Sequence, residues 1–391
     1  MINYDTIIIG ASASGLMCAI EAGKRGRKVI VLDHANKAGK KILMSGGGRC
    51  NFTNTDISAD NYIASNPHFC KSALSRFNQW DFIAMVERHN IAYHERDHGQ
   101  LFCNDSAANI LDMLLNECQQ YNVSIKLNTE IEQVSKNDVF ILKTSHGDFE
   151  ATALVIASGG LSIPCMCASP FGYKIAEQFG LNIIPTRAGL VPLTLQPADK
   201  GRFSPLSGIA IDSLVSNQQQ QFRENMLFTH RGLSGPGILQ ISSYWQPGED
   251  IEIKLLPDMS VLDELKTCHA QQPQQKLRTV LSRWLPKRLI NALIAEELAD
   301  APLQLISHKE LNTIASQLQQ WRIRPNGSEG YRTAEVTIGG VDCDELSSRT
   351  MECKKVTGLY FIGEVIDISG WLGGYNFQWA WASGWVAGQH V

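Results

Sequence analysis

The N-terminal hydrophobic pattern predicts a strand, a helix and a second strand. Residues 4–9 are an apolar run that ends at Gly10, and the segment from Ala13 to Gly26 has the pattern of a helix. A second apolar run, Lys28 to Leu32, follows directly and ends in Asp33. A strand, a helix and a strand in this order are typical of a βαβ unit in a parallel sheet.

Two later apolar runs have the pattern of buried parallel strands. Residues 153–160 end in two glycines, and residues 358–364 end at a Gly-Glu step. Before the first of these runs, residues 123–127 and 139–144 predict a strand and a hairpin. A segment rich in Trp and Ala that ends at Gly388 predicts a last helix.

The pattern changes in the middle of the chain. Short alternating runs, such as Gly208–Val215 and Asp250–Leu255, predict β-strands. Residues 261–320 contain no glycine and have apolar residues at helical spacing. We therefore predict an insert that is mostly β at 191–258 and 322–334 and helical at 259–321.

The glycine distribution indicates that two distant parts of the chain build one domain. Of the 32 glycines, eight lie by residue 48, seven lie after residue 357 and none lies between 249 and 326. Glycine is required where the backbone turns tightly or approaches a phosphate. The predicted fold class is α/β, with a Rossmann-like domain of residues 1–190 and 335–391 that is interrupted by the insert at 191–334.

The composition is that of a globular protein with a slight excess of acidic residues. The 391 residues carry a formal net charge of −4, with 19% charged and 44% hydrophobic. This balance argues against disorder and against nucleic acid as a partner. The ten cysteines include no Cys-x-x-Cys, no apolar stretch is long enough to span a bilayer, and no cluster has metal-ligand spacing. We therefore expect a reduced, cytoplasmic protein without membrane contact or metal.

The turn after the first strand has the frame of a dinucleotide-binding motif. Gly10-Ala-Ser12-Ala-Ser-Gly15 places glycines at the first and third positions of Gly-x-Gly-x-x-Gly, with serine at the second. In this motif the turn aims a helix N-terminus at a pyrophosphate, and an acid after the second strand binds a ribose. The predicted contacts are Gly10, Ser12, Ala13, Ser14, Gly15 and Asp33.

A second glycine cluster favours FAD over a nicotinamide dinucleotide. Residues 39–51 combine three consecutive glycines with serine, arginine and asparagine, which supplies backbone donors and a fixed cation. In Rossmann order this cluster follows the ribose-binding acid, where the ribityl chain of FAD extends beyond the reach of NAD. The predicted contacts are Lys41, Ser45, Gly46, Gly47, Arg49, Cys50 and Asn51. A flexible glycine linker is the alternative.

The later strand ends and the last helix complete the predicted cofactor site. The segment at Ile131 is expected near the adenine, and a helix that starts at a Gly-Gly step aims a second positive helix end at the flavin. Such a field stabilises negative charge on a reduced flavin ring. The additional predicted contacts are Ile131, Ala157, Ser158, Gly159, Gly363, Glu364, Gly373, Gly374, Asn376 and Phe377.

Four segments resemble the BaiN-like (YhiN-type) family of FAD-dependent oxidoreductases: Gly39–Asn54, Leu227–Pro236, Glu335–Val341 and Gly363–Trp381. The resemblance covers essentially the whole chain. It implies a glutathione-reductase-like FAD domain, interrupted by an insert with a β-barrel-like part and a helical part. Family members include bile-acid reductases and amine oxidases. This chain departs from the family at Cys167–Tyr173, where relatives carry Gly-Ser-x-Gly-Asp-Gly-Tyr.

Two residues are candidates for acid–base catalysis. His230 lies in a glycine-bracketed loop beside Arg231, and Tyr375 follows the Gly-Gly step. For each, a structural or solvated role is the alternative. The chain contains no second strand, glycine motif and helix for a nicotinamide dinucleotide, so NAD(P)H is expected only as a transient reductant in the same cleft.

The favoured function is hydride or electron transfer between FAD and a small organic substrate. An enone-type reduction and an amine oxidation both fit, and the sequence leaves the oligomeric state open. The alternative is a flavin-dependent RNA-modifying or RNA-binding protein, and a plain NAD-binding dehydrogenase is a third hypothesis. The basic residues of the insert mix with acids and form no stripe in the sequence; they are Arg278, Arg283, Lys287, Arg288, Arg322 and Arg324.

Overall fold

The computed structural model describes residues 2–391. Its strands are β1 (Ile2–Ile9), β2 (Val29–Leu32), β3 (Asn51–Asn54), β4 (Tyr62–Ile63), β5 (Tyr93–Arg96), β6 (Gln100–Cys103), β7 (Ser124–Lys126), β8 (Ile131–Lys136), β9 (Phe140–Thr144), β10 (Gly147–Ile156), β11 (Ile183–Gly189), β12 (Leu193–Thr194), β13 (Ala210–Ser216), β14 (Gln221–Phe228), β15 (Gly232–Ser234), β16 (Ile251–Leu255), β17 (Trp321–Ile323), β18 (Gly327–Ser328), β19 (Val336–Val341), β20 (Leu359–Phe361) and β21 (Ser369–Gly370).

Its α-helices are α1 (Ala13–Lys24), α2 (Lys40–Met44), α3 (Phe69–Arg76), α4 (Gln79–Arg88), α5 (Ala108–Gln120), α6 (Phe171–Gln178), α7 (Pro197–Phe203), α8 (Pro236–Ser242), α9 (Val261–Gln271), α10 (Leu277–Leu281), α11 (Lys287–Leu293), α12 (Glu296–Ala299), α13 (His308–Gln319) and α14 (Tyr375–Gly388). None of the helices within residues 2–391 has both the length and the apolar character needed to cross a membrane.

The chain divides into two compact units. The first contains the residues up to Ala188 and those from Glu335 to Val391, and the second contains Gly189–Ala334. We call them the cofactor unit and the insert. The cofactor unit is therefore built from two separate stretches of sequence.

A central sheet organises the cofactor unit. Its strand order is β7-β2-β1-β10-β9-β8, and β20 pairs with the second half of β10. The strands β7, β2, β1, β10 and β20 pair in parallel, whereas β9 runs antiparallel to the first half of β10. The apolar runs of β1 and β2 are buried on both faces, as expected for parallel strands covered by helices.

Helices α1 and α14 pack against each other through their backbones. A Cβ atom at Gly384 of α14 would lie 2.4 Å from the carbonyl oxygen of Ser14 in α1. Trp379 and Trp381 of α14 are almost fully buried, and their indole N–H groups donate to the carbonyl oxygens of Gly363 and Phe52 at 3.0 and 2.9 Å. The last helix is therefore fixed both to the first helix and to the end of β20.

The insert combines an antiparallel sheet with a helical region. Its seven strands follow the order β17-β16-β13-β14-β15-β12-β18, and neighbouring strands run antiparallel. Helices α9 to α13 lie between β16 and β17 in the sequence. Their apolar residues are buried, among them Leu265, Leu281, Leu289 and Leu311. The helical spacing of residues 261–320 therefore reflects burial of one face of each helix.

Candidate functional site

The carboxyl ends of four parallel strands meet at one edge of the central sheet. Ile9 of β1 pairs with Leu32 of β2 and Ile156 of β10, and Ile156 pairs with Phe361 of β20. The turns that follow these strands contain part of the predicted contacts: Gly10, Ser12, Asp33, Ala157, Ser158, Gly159, Gly363 and Glu364. In open α/β sheets, ligands bind in the crevice beyond this edge. The register therefore brings together residues from both parts of the cofactor unit.

The turn between β1 and α1 has the close packing that a dinucleotide motif requires. Gly10 has a φ of +117°, and a Cβ atom there would lie 2.3 Å from the carbonyl oxygen of Ala157. A Cβ atom at Gly15 would lie 1.9 Å from the carbonyl oxygen of Gly10. Both positions therefore require glycine, and α1 starts directly at the sheet edge.

The N-terminus of α1 is suited to an anion. Ser12 is the N-cap, but its side chain makes no capping hydrogen bond, and the first turn contains no acidic residue. The first N–H groups of a helix have no partner within the helix and carry partial positive charge. At the end of β10, the hydroxyl of Ser158 is buried and makes no hydrogen bond within the described residues. The turn thus fits the pyrophosphate of a dinucleotide such as FAD.

Asp33 braces this turn. Its Oδ2 accepts a hydrogen bond from the N–H of Ala11 at 2.7 Å, and its Oδ1 accepts one from the N–H of Ala35 at 2.8 Å. Each carboxylate oxygen can accept a second hydrogen bond. The ribose contact predicted for Asp33 is compatible with this geometry, and the bond to Ala11 adds a structural role that the motif alone did not indicate.

The second glycine cluster forms a turn of left-handed residues. Gly46, Gly47 and Gly48 have φ angles of +57°, +66° and +86°. A Cβ atom at Gly47 or Gly48 would meet no other atom within 4 Å, so this stretch of backbone faces open space. Arg49 is exposed beside it. The backbone can therefore approach a bound group at this turn.

Cys50, which follows the turn, is fully buried. Burial raises the pKa of its thiol to about 12, although a hydrogen bond with Ser45 opposes the increase. The thiol is therefore neutral at physiological pH and supports the turn from the inside. The side chain of the next residue, Asn51, lies 2.9 Å from Oε1 of Gln100 on β6.

A largely buried ion pair lies at the ends of β10 and β20. The Lys41 Nζ donates to Oε2 of Glu364 at 2.7 Å and to Oγ of Ser162 at 2.8 Å. Oε1 of Glu364 accepts from the N–H of Thr337 at 2.9 Å and from Ser162 Oγ at 3.1 Å. Burial raises the pKa of Glu364, but the Lys41 ammonium and these hydrogen bonds outweigh it, so the pKa lies below its usual value.

This ion pair lies at the sheet edge where the carboxyl ends of the parallel strands meet. A Cβ atom at Gly159 would lie 3.8 Å from Oε2 of Glu364, and a Cβ atom at Gly363 would lie 2.5 Å from Ser14 Oγ in α1. The structure thus brings the predicted contacts Lys41, Gly159 and Glu364 together. Sequence reasoning missed Ser162 and Thr337; Thr337 lies in the conspicuous Glu335–Val341 segment, which was the available signal.

Asn376 closes the loop in front of α14. Its Oδ1 accepts from the N–H of Gly370 at 2.8 Å, and its Nδ2 donates to the carbonyl oxygen of Gly370 at 2.9 Å. Gly374 is the N-cap with a φ of +96°, and the first turn of α14 has no acidic residue. Asn54 donates to the carbonyl oxygen of Gly373 at 2.9 Å. This helix N-terminus is therefore held firmly and free of nearby acids on its own helix.

Two further predicted contacts lie on neighbouring elements, and both are half-buried. Ile131 begins β8, and Phe377 lies in the first turn of α14, where its ring stacks on Trp381 with the centroids 5.5 Å apart.

The two predicted catalytic residues lie in different units. Tyr375 is buried in the cofactor unit, and its carbonyl oxygen accepts a hydrogen bond from the hydroxyl of Tyr62 at 2.9 Å. His230 is exposed in the insert, in a turn where Thr229 Oγ1 accepts from the N–H groups of Arg231 and Gly232. Within residues 2–391, no group of three or more His, Cys, Asp and Glu side chains is arranged to hold a metal ion.

Two thiols lie at the start of the segment that departs from the family pattern, one at Cys167 and one two residues before it at Cys165. Cys165 is exposed and Cys167 is half-buried, whereas the other eight cysteines are buried. Lys40 Nζ lies 3.1 Å from the Sγ of Cys167. The residues Ile163 and Cys167 have left-handed φ angles of +53° and +67°. The Cys167 thiol therefore contacts the residue that precedes Lys41 of the ion pair.

Comparison with known proteins decides the family. The family described as "HI0933-like protein Rossmann domain" matches residues 4–390. The chain belongs to the HI0933-like family. The predicted family, the α/β fold class and the class of FAD-dependent oxidoreductase are thereby confirmed.

Members of the HI0933-like family align with the chain over nearly its full length. "Ribosomal RNA dihydrouridine synthase" of Escherichia coli K12 is 54% identical over 397 residues, which covers 100% of this chain and 98% of that protein. The protein of the same name from Haemophilus influenzae is 48% identical and covers 98% of this chain. "3-Dehydro-bile acid delta(4,6)-reductase" of Clostridium scindens is 29% identical over 98% of this chain and 97% of that protein.

A solved structure shares the fold of this HI0933-like chain. The 3-ketosteroid-delta4-(5alpha)-dehydrogenase of Rhodococcus jostii RHA1 superposes with a TM-score of 0.50 at 12% identity. The match covers 99% of this chain and 97% of that one. At this level of identity the likeness concerns the fold alone.

Proposed function

We propose that this protein reduces a uridine of ribosomal RNA to dihydrouridine, using bound, reduced FAD as the hydride donor. The observation that carries the proposal is the 54% identity, over 100% of this chain, to a protein named for that reaction. A second protein with that name aligns over 98% of the chain. The charge balance alone weighed against a nucleic-acid partner, and full-length similarity at this level outweighs it.

The proposed reaction is a conjugate reduction. The C5=C6 bond of uracil is conjugated to the C4 carbonyl, so a hydride adds to C6 and a proton adds to C5. The products are dihydrouridine and oxidised FAD, and NAD(P)H is proposed to restore the reduced cofactor. The bile-acid reductase relative fits the same broad class, because its name also describes a reductase. An enone-type reduction, one of the two reactions that fit the sequence, describes the proposed reaction.

The residues of the cofactor unit are proposed to hold FAD along the sheet edge. The N-terminus of α1 binds the pyrophosphate, and Asp33 binds the adenosine ribose while it braces the turn. When bound in its reduced form, FAD would supply the hydride. The positive end of the α14 dipole would favour negative charge on a reduced flavin ring bound in front of it. His230 and Tyr375 are proposed as the two alternative donors of the single proton that C5 receives, because an imidazole and a phenol can each transfer a proton.

The test is direct product analysis. The purified, FAD-loaded protein is incubated without oxygen with NADPH and ribosomal RNA transcribed in vitro, which contains no dihydrouridine. Nucleoside mass spectrometry then measures dihydrouridine in the digested RNA. We expect dihydrouridine to accumulate with enzyme and not with heat-inactivated enzyme.

A small enone is the competing substrate, and it is tested in parallel. A 3-keto-4-ene steroid replaces the RNA, and consumption of NADPH is followed by absorbance. Reduction of the steroid without any dihydrouridine in RNA would overturn the RNA assignment and favour the small-molecule reductase. His230→Gln and Tyr375→Phe identify the proton donor, since its loss lowers turnover while FAD remains bound.

A further inference from the structure

The arginines of the insert include a group that is already neutralised by acids. Five arginines form ion pairs with carboxylates across the sheet or between neighbouring helices. They are Arg223 with Asp212 and Asp258, Arg231 with Glu329, Arg278 with Asp300, Arg322 with Glu252, and Arg324 with Asp250. A paired arginine has its charge compensated locally, so it contributes little to the attraction of a further anion.

A second group of cations in the insert has no acidic partner. Lys200 and Arg202 lie on α7, and Lys287 and Arg288 begin α11; all four are exposed. Within residues 2–391, none of them forms an ion pair with a carboxylate. We call these four residues the basic patch.

Hydrogen bonds to main-chain carbonyls bring the two helices of the basic patch together. Nε of Arg202 donates to the carbonyl oxygen of Ala292 at 2.5 Å, and its Nη2 donates to that of Leu293 at 3.2 Å. Nη1 of Arg288 donates to the carbonyl oxygen of Pro205 at 3.3 Å. Carbonyl groups hold the guanidinium groups in place but do not neutralise them. Further N–H groups of each arginine remain for an anion.

The sequence around the basic patch contains little compensating charge. Residues 196–206 and 284–294 contain the four cations of the patch and a single acid, Asp199. The next acids along the chain, Glu296 and Glu297, begin α12. The whole chain carries a net charge of −4. The basic patch is therefore a local exception on an acidic protein, and such an exception attracts an anionic partner.

We propose that the basic patch binds the phosphate backbone of the RNA substrate. The inference rests on the proposed function, which makes RNA the anionic partner that the protein must hold. Prearranged guanidinium groups bind phosphate oxygens in a bidentate manner, and lysines add mobile charge. Backbone contacts of this kind set the position of an RNA without reading its sequence.

The experiment removes charge without touching the hydrogen bonds that join α7 and α11. The patch variant is Lys200→Gln/Lys287→Gln, because the hydrogen bonds between the two helices come from Arg202 and Arg288. The matched control is Lys266→Gln/Lys309→Gln, which removes two exposed lysines from helices α9 and α13 of the same unit. Fluorescence anisotropy measures binding of a labelled ribosomal RNA fragment to each FAD-loaded protein over a range of salt concentrations.

We expect the patch variant to bind RNA about 3- to 10-fold more weakly near physiological salt. The slope of the logarithm of the binding constant against the logarithm of the salt concentration should become less steep by about one to two units. The control should stay within about twofold of the unmodified protein. Circular dichroism and the flavin spectrum verify that both variants fold and hold FAD. Equal RNA affinity of the patch variant and the control would overturn the proposal.

Two further outcomes separate this inference from the proposed function. If the patch variant binds RNA normally and the unmodified protein still makes dihydrouridine, the basic patch is not the RNA site and the proposed function stands. If the unmodified protein makes no dihydrouridine in RNA, the proposed function fails with the inference. Binding to vesicles of anionic phospholipid is measured as well. If the patch variant loses vesicle binding but keeps RNA binding, the basic patch binds a lipid surface, and the RNA assignment is overturned.

Discussion

The cofactor unit and the insert use charged residues in opposite ways. In the cofactor unit, Asp33 and the Lys41–Glu364 pair lie largely buried at the sheet edge, and each oxygen has a defined hydrogen-bond donor. In the insert, the ion pairs of Arg322 and Arg324 lie on the surface. Water competes for surface pairs, so they contribute little to stability.

This difference shows where charge has a positioning role. A buried ion pair is maintained only if its geometry satisfies both partners, because desolvation opposes it. The Lys41–Glu364 pair therefore depends on the positions of the residues that surround it at the sheet edge. In the insert, the pairs of Arg322 and Arg324 lie in solvent, and the unpaired cations of the basic patch contribute to the field outside the protein.

Breaking the buried pair should have the largest effect. Glu364→Gln leaves the Lys41 ammonium without its counter-charge, and we expect a loss of about 2–4 kcal/mol in the free energy of unfolding. Urea unfolding of the protein measures it. Lys41→Met/Glu364→Gln is the matched variant, since it removes both charges. Equal stability of Glu364→Gln and the unmodified protein would show that the pair does not hold the sheet edge together.

The Lys41–Glu364 pair also predicts that the stability of the protein depends on pH. Because the pKa of Glu364 is lower in the folded protein than its usual 4.5, its carboxylate binds protons more weakly when folded than when unfolded. Its stabilising contribution is therefore complete above pH 4.5 and is lost as the pH falls through the lower folded pKa. Urea midpoints below pH 4.5 should fall less steeply for Lys41→Met/Glu364→Gln than for the unmodified protein. Parallel curves would contradict the assignment.

Filling the close contact at Gly15 should have the next largest effect. In Gly15→Ala the added methyl group overlaps the carbonyl oxygen of Gly10, so α1 must move away from the sheet edge. We expect a loss of about 2–3 kcal/mol in the free energy of unfolding and reduced retention of FAD. Gly201→Ala in the insert is the control, since its Cβ atom meets nothing within 4 Å. FAD retention in Gly15→Ala equal to that in the control would contradict the close approach.

Asp33→Ala should have a smaller effect on stability and a clear effect on cofactor retention. Removing the carboxylate leaves the N–H groups of Ala11 and Ala35 without acceptors, which we expect to cost about 1–2 kcal/mol in the free energy of unfolding. Asp33→Asn keeps one acceptor oxygen and should lose less. FAD retained after gel filtration is measured by its absorbance. Unchanged FAD content in Asp33→Ala would refute both the ribose contact and the brace.

The surface pairs of the insert should show the smallest effect. For Arg324→Gln we expect no measurable change in the urea midpoint, because both Arg324 and its partner Asp250 are solvated. The comparison with Glu364→Gln then contrasts one surface pair with one buried pair by the same assay. A midpoint shift as large as that of Glu364→Gln would remove the distinction between the two units.

Local patterns were sufficient to predict the elements around the glycine motif. Residues 4–9, 13–26 and 28–32 were predicted as strand, helix and strand, and the structure has Ile2–Ile9, Ala13–Lys24 and Val29–Leu32. The apolar run, the small residues and the acid are neighbours in sequence, so their spacing carries the geometry. The observed ends of the helix and strands differ from the predicted ends by a few residues. The ends of such elements fray, so the sequence pattern says little about where they stop.

Long-range contacts could not be predicted in this way. Lys41 and Glu364 were each named as cofactor contacts, but their pairing joins residues 323 positions apart. The bond from Lys40 to Cys167 spans 127 positions. The same limit applied to the basic residues of the insert, where Arg324 finds its acid 74 positions away. The sequence alone does not distinguish the arginines that form ion pairs from Lys287 and Arg288, which form none with a carboxylate in the described structure.

The position of β20 has a consequence for how the protein is made. On one side β10 pairs with β1 from Phe149 to Ile156. On the other side it pairs with β9 along its first half and with β20 along its second half, and β20 follows the insert in the sequence. A ribosome must therefore synthesise all of residues 189–334 before the central sheet receives β20 and α14. Until then the nascent chain exposes an apolar strand edge and one face of α1, which are sites where chaperones bind and where stalled chains aggregate.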